Sequence, residues 1–277
     1  MTITEPAPAK INLALHLRRK RPDGYHDLET LFAFARDGDV ITVTPADRDG
    51  FTITGPFASA LGGAGEQDNL VTQARDAFRA AFDCPPVAIV LDKNLPIAAG
   101  IGGGSADAAA ALRALARLTG HDPADPRLFA IAATLGADVP ACLLGRPSFA
   151  TGRGDDLAAL PPLGDLPLLL VNPRVPMPTG AMFAAWDRID RGPLPSKGTT
   201  LDRAKAGRND FTAPAIAQAP VVAEVLGLLD TMPGCTLARL SGSGATCFAL
   251  FADEASRDSA AATAQASGWW TLATHAT

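Results

Sequence analysis

A surplus of positive charge is missing from this sequence. Its 24 lysines and arginines face 29 aspartates and glutamates, for a formal net charge of −5. That balance gives no basic face for a phosphate backbone, so no nucleic acid is expected among the partners. Long apolar runs are absent as well. No stretch approaches the roughly 20 residues that cross a bilayer, and MTITEPAPAK lacks the basic and apolar regions of an export signal. The expectation is a cytoplasmic protein with no membrane partner. Cysteine is sparse: Cys84, Cys142, Cys235 and Cys247 show neither C-x-x-C nor Cys/His ligand spacing, so they are assigned no chemistry, and Cys142 and Cys247 lie in apolar sequence as buried thiols do. No internal repeat is visible, and Tyr25 is the single tyrosine. No lysine stands between Lys93 and Lys197, which removes a Walker-type phosphate loop, since that loop needs G-x-x-x-x-G-K-[ST].

What is present suits a globular protein. The chain has 277 residues, 47% of them apolar and 19% charged, enough for sizeable cores and more than one core usually holds. Two domains are expected, with a hinge in the proline-rich stretch 160–175. The segment Ala7–Leu17 alternates, placing Ile11, Leu13, Leu15 and Leu17 on one face and Lys10, Asn12 and His16 on the other, as a half-buried strand does. Strands are expected at 28–35, 40–44, 51–54 and 87–93. Helices are expected at 69–82, at Ser105–Leu118 with Ser105 as cap, and at Pro126–Leu135 between the Asp125 cap and Gly136. Further on come the strand PLLLVNP, a helix at 180–188, a loop at 190–200 and a long helix at 209–229 interrupted by Pro214 and Pro220. Strand, glycine loop, strand, helix and strand complete an α+β order.

Four glycines, Gly100, Gly102, Gly103 and Gly104, crowd into five positions ahead of alanine-rich sequence. A backbone without Cβ atoms can approach an anion closely, and the helix that follows supplies unpaired N–H groups and the positive end of its dipole. The dinucleotide pattern G-x-G-x-x-G fails, because Ser105 and Asp107 stand where its last glycine would be. A tight turn with a capped helix is the structural alternative.

Here the sequence resembles a known family. P-x-x-x-G-I-G-G-G-S-A, Pro96–Ala106, is similar to the ATP loop of the GHMP kinases. PAKINLALHL at 8–17, RPDGYHDLETLF at 21–32 and LGADVP at 135–140 resemble the branch of that superfamily that phosphorylates a cytidylated sugar alcohol, and LSGSGATCFALF at 240–251 resembles the superfamily's third motif. The resemblance implies a two-domain α+β fold: a ribosomal-protein-S5-like domain at 1–162, a ferredoxin-like domain at 163–277, and an active site in the cleft between them. It implies ATP and Mg2+ as cofactors, small-molecule partners, and ATP contacts along Pro96, Ile97, Ala98, Ala99, Gly100, Ile101, Gly102, Gly103, Gly104, Ser105 and Ala106. Where relatives carry serines directly after G-L-G, Gly103 and Gly104 intervene, so the metal ligands stay unassigned.

By the same resemblance Asp138 is the general base and Lys10 its partner. A carboxylate beside an ammonium suits removal of an alcohol's proton during phosphoryl transfer. Read locally, Asp138 is instead an N-cap before Val139-Pro140, and Lys10 a surface strand lysine. Tyr25 and His26 fall in a D-G-Y-H turn that in the family holds cytosine, by stacking and by hydrogen bonding to the base edge. Asn12, Thr179, Phe183, Ser241, Gly242, Ser243 and Gly244 complete the expected substrate contacts. Asp92, Lys93 and Asn94 fit either a surface turn or the adenine side, and Trp186 is expected to be structural. A homoserine- or mevalonate-type kinase, or a catalytically silent nucleotide-binding regulator on the same fold, are the competing readings. The oligomeric state is not legible.

Overall fold

A computed structural model describes residues 1–61 and 68–277. The chain forms two compact units, and neither is one continuous stretch. The first comprises 1–9, 37–97 and 102–145; the second comprises 10–36, 98–101 and 146–277. This interleaving differs from the single boundary expected at 162/163. Two long strands, β1 (Ile3–Lys20) and β2 (His26–Pro45), each carry the chain from one unit into the other.

In the first unit the outer half of β2 pairs antiparallel with β4 (Val87–Asp92), and β3 (Gly50–Thr54) runs parallel to β4 on its other side. Among the described residues four helices accompany this sheet. Helix α1 (Leu70–Ala81) begins where the Asn69 side chain accepts a hydrogen bond from the Val71 N–H, and it buries Val71, Ala74 and Phe78 at helical spacing. Helix α2 (Gly103–Leu118) is alanine-rich and packs between α1 and α4 (Val139–Leu144), with Leu112 and Leu115 fully buried. On its other side Arg113 and Arg117 reach the buried Glu5 carboxylate of β1. Helix α3 (Pro126–Leu135) starts at the expected Asp125 cap.

In the second unit an antiparallel sheet runs β2, β10 (Trp270–Ala276), β7 (Leu166–Asn172), β9 (Cys247–Phe251), β8 (Cys235–Leu240). Helices α8 (Val221–Thr231) and α9 (Glu254–Ala266) pack on it. Its core joins Leu15, Leu17, Leu169, Val171, Phe211, Val225, Leu229 and Phe251. The hairpin β5 (Ser148–Thr151) and β6 (Asp156–Ala159) adds to the inner half of β2 through β5.

Several elements differ from the sequence reading. The strands expected at 28–35 and 40–44 are one, because Asp37-Gly38-Asp39 stays extended. A Cβ on Gly38 would lie 2.1 Å from the Ala7 carbonyl oxygen, so glycine there lets β1 approach without a turn. The helix expected at 209–229 is two, α7 (Thr212–Gln218) and α8, parted at Ala219-Pro220 because proline has no N–H to continue the ladder. Two short helices were not expected, α4 and α6 (Thr200–Ala206), whereas α5 (Thr179–Ala185) lies within a residue of its expected start. Finally, β1 is not half-buried. Residues 9–17 are all buried, polar face included.

Candidate active site

The polar face of β1 is covered because its side chains are paired inside the second unit. Lys10, 3% exposed, donates from Nζ to Asn12 Oδ1 at 3.0 Å and lies over the Phe32 ring at 4.9 Å. Asn12 Nδ2 donates to Thr30 Oγ1 at 2.8 Å, and the Thr30 hydroxyl in turn donates to the Ala14 carbonyl at 2.7 Å. The Asn12 N–H points at Ser241 Oγ (3.3 Å), whose hydroxyl donates to the Gly100 carbonyl at 3.0 Å. Lys10, Asn12, Ser241 and Gly100, far apart in sequence, therefore share one hydrogen-bonded network. This rules out a solvated surface lysine. His16, further along the same face, belongs elsewhere: Nε2 accepts from the Arg208 N–H and Nδ1 donates to the Gly192 carbonyl. Burial, then Arg208, lowers its pKa, which fits a neutral structural imidazole.

The expected ATP segment divides between the units. Ala98, Ala99, Gly100 and Ile101 belong to the second, and Pro96, Ile97 and Gly102–Ala106 to the first. Gly100 is left-handed (φ +75°), and a Cβ there would lie 2.4 Å from the Ser241 carbonyl oxygen and 2.6 Å from the Gly244 nitrogen. Only glycine fits. Gly242 repeats the demand from the other side, at φ +52° with a Cβ position 2.7 Å from the Gly100 carbonyl oxygen. The two glycine motifs thus lie backbone to backbone. Gly102 is the left-handed N-cap of α2, and that end has no side-chain capping bond. Ser105 is therefore not the expected cap, because the helix starts at Gly103, two residues earlier.

Asn209, which the sequence reading passed over, braces the third motif by donating from Nδ2 to the carbonyls of Leu240 and Gly242, both at 2.8 Å. Ser243 Oγ lies 3.0 Å from Thr179 Oγ1, so two expected substrate contacts meet. His26 stacks on Phe183 with centroids 4.7 Å apart, and Trp186 presents itself edge-on to the imidazole at 5.7 Å. Burial, helped by Lys20 and Arg188, holds His26 below its ordinary pKa, so the ring is neutral near pH 7. Tyr25 stands apart from this stack. It is 53% exposed on the expected turn, with the Arg153 guanidinium 4.9 Å from its ring centroid.

Asp138 is in the first unit, half-buried at the N-cap position of α4, where its side chain makes no capping hydrogen bond. The local alternative of an ordinary cap therefore has no bond to support it. Lys93 is not a surface residue either. It is 3% exposed, with Nζ 2.5 Å from Asp39 Oδ2 and 2.6 Å from Asp107 Oδ2. Nothing in the spacing of these three residues marks them as partners. Among the described residues no group of three or more His, Cys, Asp and Glu side chains could hold a metal ion. No helix among them is long and apolar enough to cross a membrane.

Comparison with known proteins bears on this arrangement. The profile of the GHMP kinases N terminal domain matches residues 69–146, and that of the GHMP kinases C terminal domain matches 200–268. A 4-diphosphocytidyl-2-C-methyl-D-erythritol kinase of Rhizorhabdus wittichii is 56% identical over 274 residues, covering 97% of this chain and 93% of its own. One of Novosphingobium aromaticivorans is 48% identical, covering 98% and 92%. A crystal structure of 4-(cytidine 5'-diphospho)-2C-methyl-D-erythritol kinase superposes with a TM-score of 0.83 at 35% identity, over 99% of both chains.

Proposed function

Because the chain belongs to the 4-diphosphocytidyl-2-C-methyl-D-erythritol kinases, a branch of the GHMP kinases, we propose that it transfers the γ-phosphoryl group of ATP to the 2-hydroxyl of 4-diphosphocytidyl-2-C-methyl-D-erythritol, in the non-mevalonate route to isoprenoid precursors. The observation that carries this reading is the buried network joining Lys10 and Asn12 to Ser241 and Gly100. It gathers the PAKIN lysine and both glycine motifs around one strand.

In this reading Asp138 Oδ accepts the proton of the attacking hydroxyl. Lys10, held in place by Asn12 and Phe32, favours the developing alkoxide and keeps the base ionised. The glycine segment receives the phosphates through backbone N–H groups and the N-terminus of α2, a sixteen-residue helix whose first turn has no side-chain cap. A glycine segment leading into a helix N-terminus without a side-chain cap suits a nucleotide phosphate, and an Mg2+ carried by the phosphates themselves needs few protein ligands. When bound, that ion neutralises charge building on the transferred group. Tyr25 offers an open ring face to the cytosine, and neutral His26 can donate and accept at its edge. Thr179 and Ser243 supply hydroxyls beside it. Small molecules rather than nucleic acid are the proposed partners. The four free cysteines accord with a reducing, cytoplasmic setting.

The test is an ATP-consumption assay across the cytidylated methylerythritol, homoserine, mevalonate and galactose. Turnover confined to the cytidylated alcohol is expected. Comparable turnover of any uncytidylated alcohol would overturn the assignment.

A further inference from the structure

Resting on the reading of 96–106 as the ATP loop, we propose that Lys93, Asp39 and Asp107 are positioning residues for the nucleotide, one buried ammonium tying the chain's approach to the glycine segment to the helix that leaves it. The approach is fixed by Asp39, whose Oδ1 accepts the backbone N–H groups of Asn94 (2.5 Å) and Leu95 (2.8 Å) immediately before Pro96. The exit is fixed by Asp107, in the second turn of α2. Lys93 Nζ bridges the two carboxyls, and its backbone is bound on both sides, its N–H donating to the Thr54 carbonyl and its own carbonyl accepting from Phe57. The bridge lies directly against the first turn of α2: a Cβ on Gly103 would be 3.1 Å from Lys93 Nζ and 3.7 Å from Asp39 Oδ2.

The cluster holds two carboxyl groups and one ammonium, an odd count for a buried site. Asp39 uses both oxygens in hydrogen bonds, whereas Asp107 Oδ1 has no hydrogen-bond partner among the described residues. A neutral carboxyl costs less to bury than a carboxylate with an unpartnered oxygen, so the extra proton belongs on Asp107. Its pKa agrees: burial chiefly, with Asp39 adding and Lys93 opposing, lifts it to about 8. Burial works against the Lys93 ammonium, but Asp107 and Asp39 outweigh it and hold its pKa above the ordinary value.

Other charges on neighbouring elements are engaged elsewhere. Arg75, Asp76 and Arg79 of α1 pair among themselves and with Asp49. Arg113 and Arg117 of α2 itself reach Glu5 of β1, and Arg127 of α3 pairs with Asp125. Helix α4 contributes only the buried thiol of Cys142. Below about pH 8 the cluster is therefore neutral overall. Above it, Asp107 ionises and places net negative charge under the turn that receives phosphate.

The experiment compares wild type with Asp107→Asn, which mimics the protonated carboxyl in size and charge, measuring KM for ATP and for the cytidylated alcohol between pH 7 and 9.5. Wild-type KM for ATP should rise roughly 10-fold above pH 8, as a unit charge close to the phosphates implies. In Asp107→Asn it should stay flat, with KM for the alcohol unchanged in both. Lys93→Met should raise KM for ATP at pH 7 with little change in kcat. Parallel pH profiles in wild type and Asp107→Asn would overturn the proposal, and if Lys93→Met does not fold that comparison still decides. Calorimetric titration of wild type with ATP at pH 7 separates the underlying reading: no ATP binding there would refute the ATP loop itself rather than its positioning cluster.

Discussion

Gly100→Ala isolates what the contact between the two glycine motifs is worth. At φ +75° an alanine is strained by about 1–2 kcal/mol before any contact is considered. Its methyl would also lie 2.4 Å from the Ser241 carbonyl oxygen and 2.6 Å from the Gly244 nitrogen. These are backbone atoms that cannot rotate away, so overpacking adds about 1–3 kcal/mol. The expected loss is about 2–5 kcal/mol. Gly268→Ala is the control, because Gly268 has nearly the same φ, +80°, with nothing within 4 Å of its Cβ position. Its cost is the backbone strain alone, and the gain from a less flexible unfolded chain is common to both variants and cancels. Urea denaturation of the two proteins therefore reads the overlap directly, as a difference of about 1–3 kcal/mol. KM for ATP should rise in Gly100→Ala and stay at the wild-type value in Gly268→Ala. Equal stability losses with equal ATP KM would mean that the motifs are not in the contact described.

Asp138→Asn should lower kcat by roughly 10²-fold or more, read from steady-state turnover beside a melting curve; an early melt with near-normal turnover would make Asp138 structural after all. Tyr25→Ala should raise KM for the cytidylated alcohol roughly 5- to 150-fold, from a stacking contribution of about 1–3 kcal/mol, while leaving KM for ATP and the melting temperature in place, since the ring is 53% exposed. Asp49 is held down to about 2, first by its paired hydrogen bonds from Arg79. A depressed carboxyl stabilises the fold above its unfolded pKa of 3.8 and loses that contribution as pH falls toward 2. Asp49→Asn should therefore cost about 1 kcal/mol at pH 7, after allowance for solvent screening of a partly exposed pair, and only a small part of that at pH 2, where the native carboxyl is about half protonated; a loss independent of pH would show that packing rather than charge is removed.

The sequence made the elements with strong local signals legible. Asp125 caps where expected, α1 lies within the expected 69–82 span, and the Pro96–Ala106 and Leu240–Phe251 motifs pointed to the family. Helix α6 was missed although its signal was present: Thr199 and Asp202 form a reciprocal capping box, readable as T-x-x-D. Other features had no local signal. Whether Gly38 turns or extends depends on Ala7 from β1, and whether Lys93 is exposed depends on Asp39 and Asp107, 54 and 14 residues away. Asn209 likewise becomes meaningful only once the carbonyls of Leu240 and Gly242 are brought to it.

The interleaving of the two units has a consequence for how the protein is made. Strand β10 lies between β2 and β7, pairing Ala276 with Ala35 at one end and Trp270 with Asn172 at the other. Ala35 leaves the ribosome about 240 residues before Ala276, a delay of roughly 10–50 s at ordinary translation rates. For most of that interval the apolar stretch from Ile11 to Leu17 stands without the Asn209 and Ser241 regions that later cover it, since these are themselves synthesised late. Newborn chains of this protein should depend on a holdase that shelters extended apolar segments, and truncation anywhere before β10 should leave that dependence permanent.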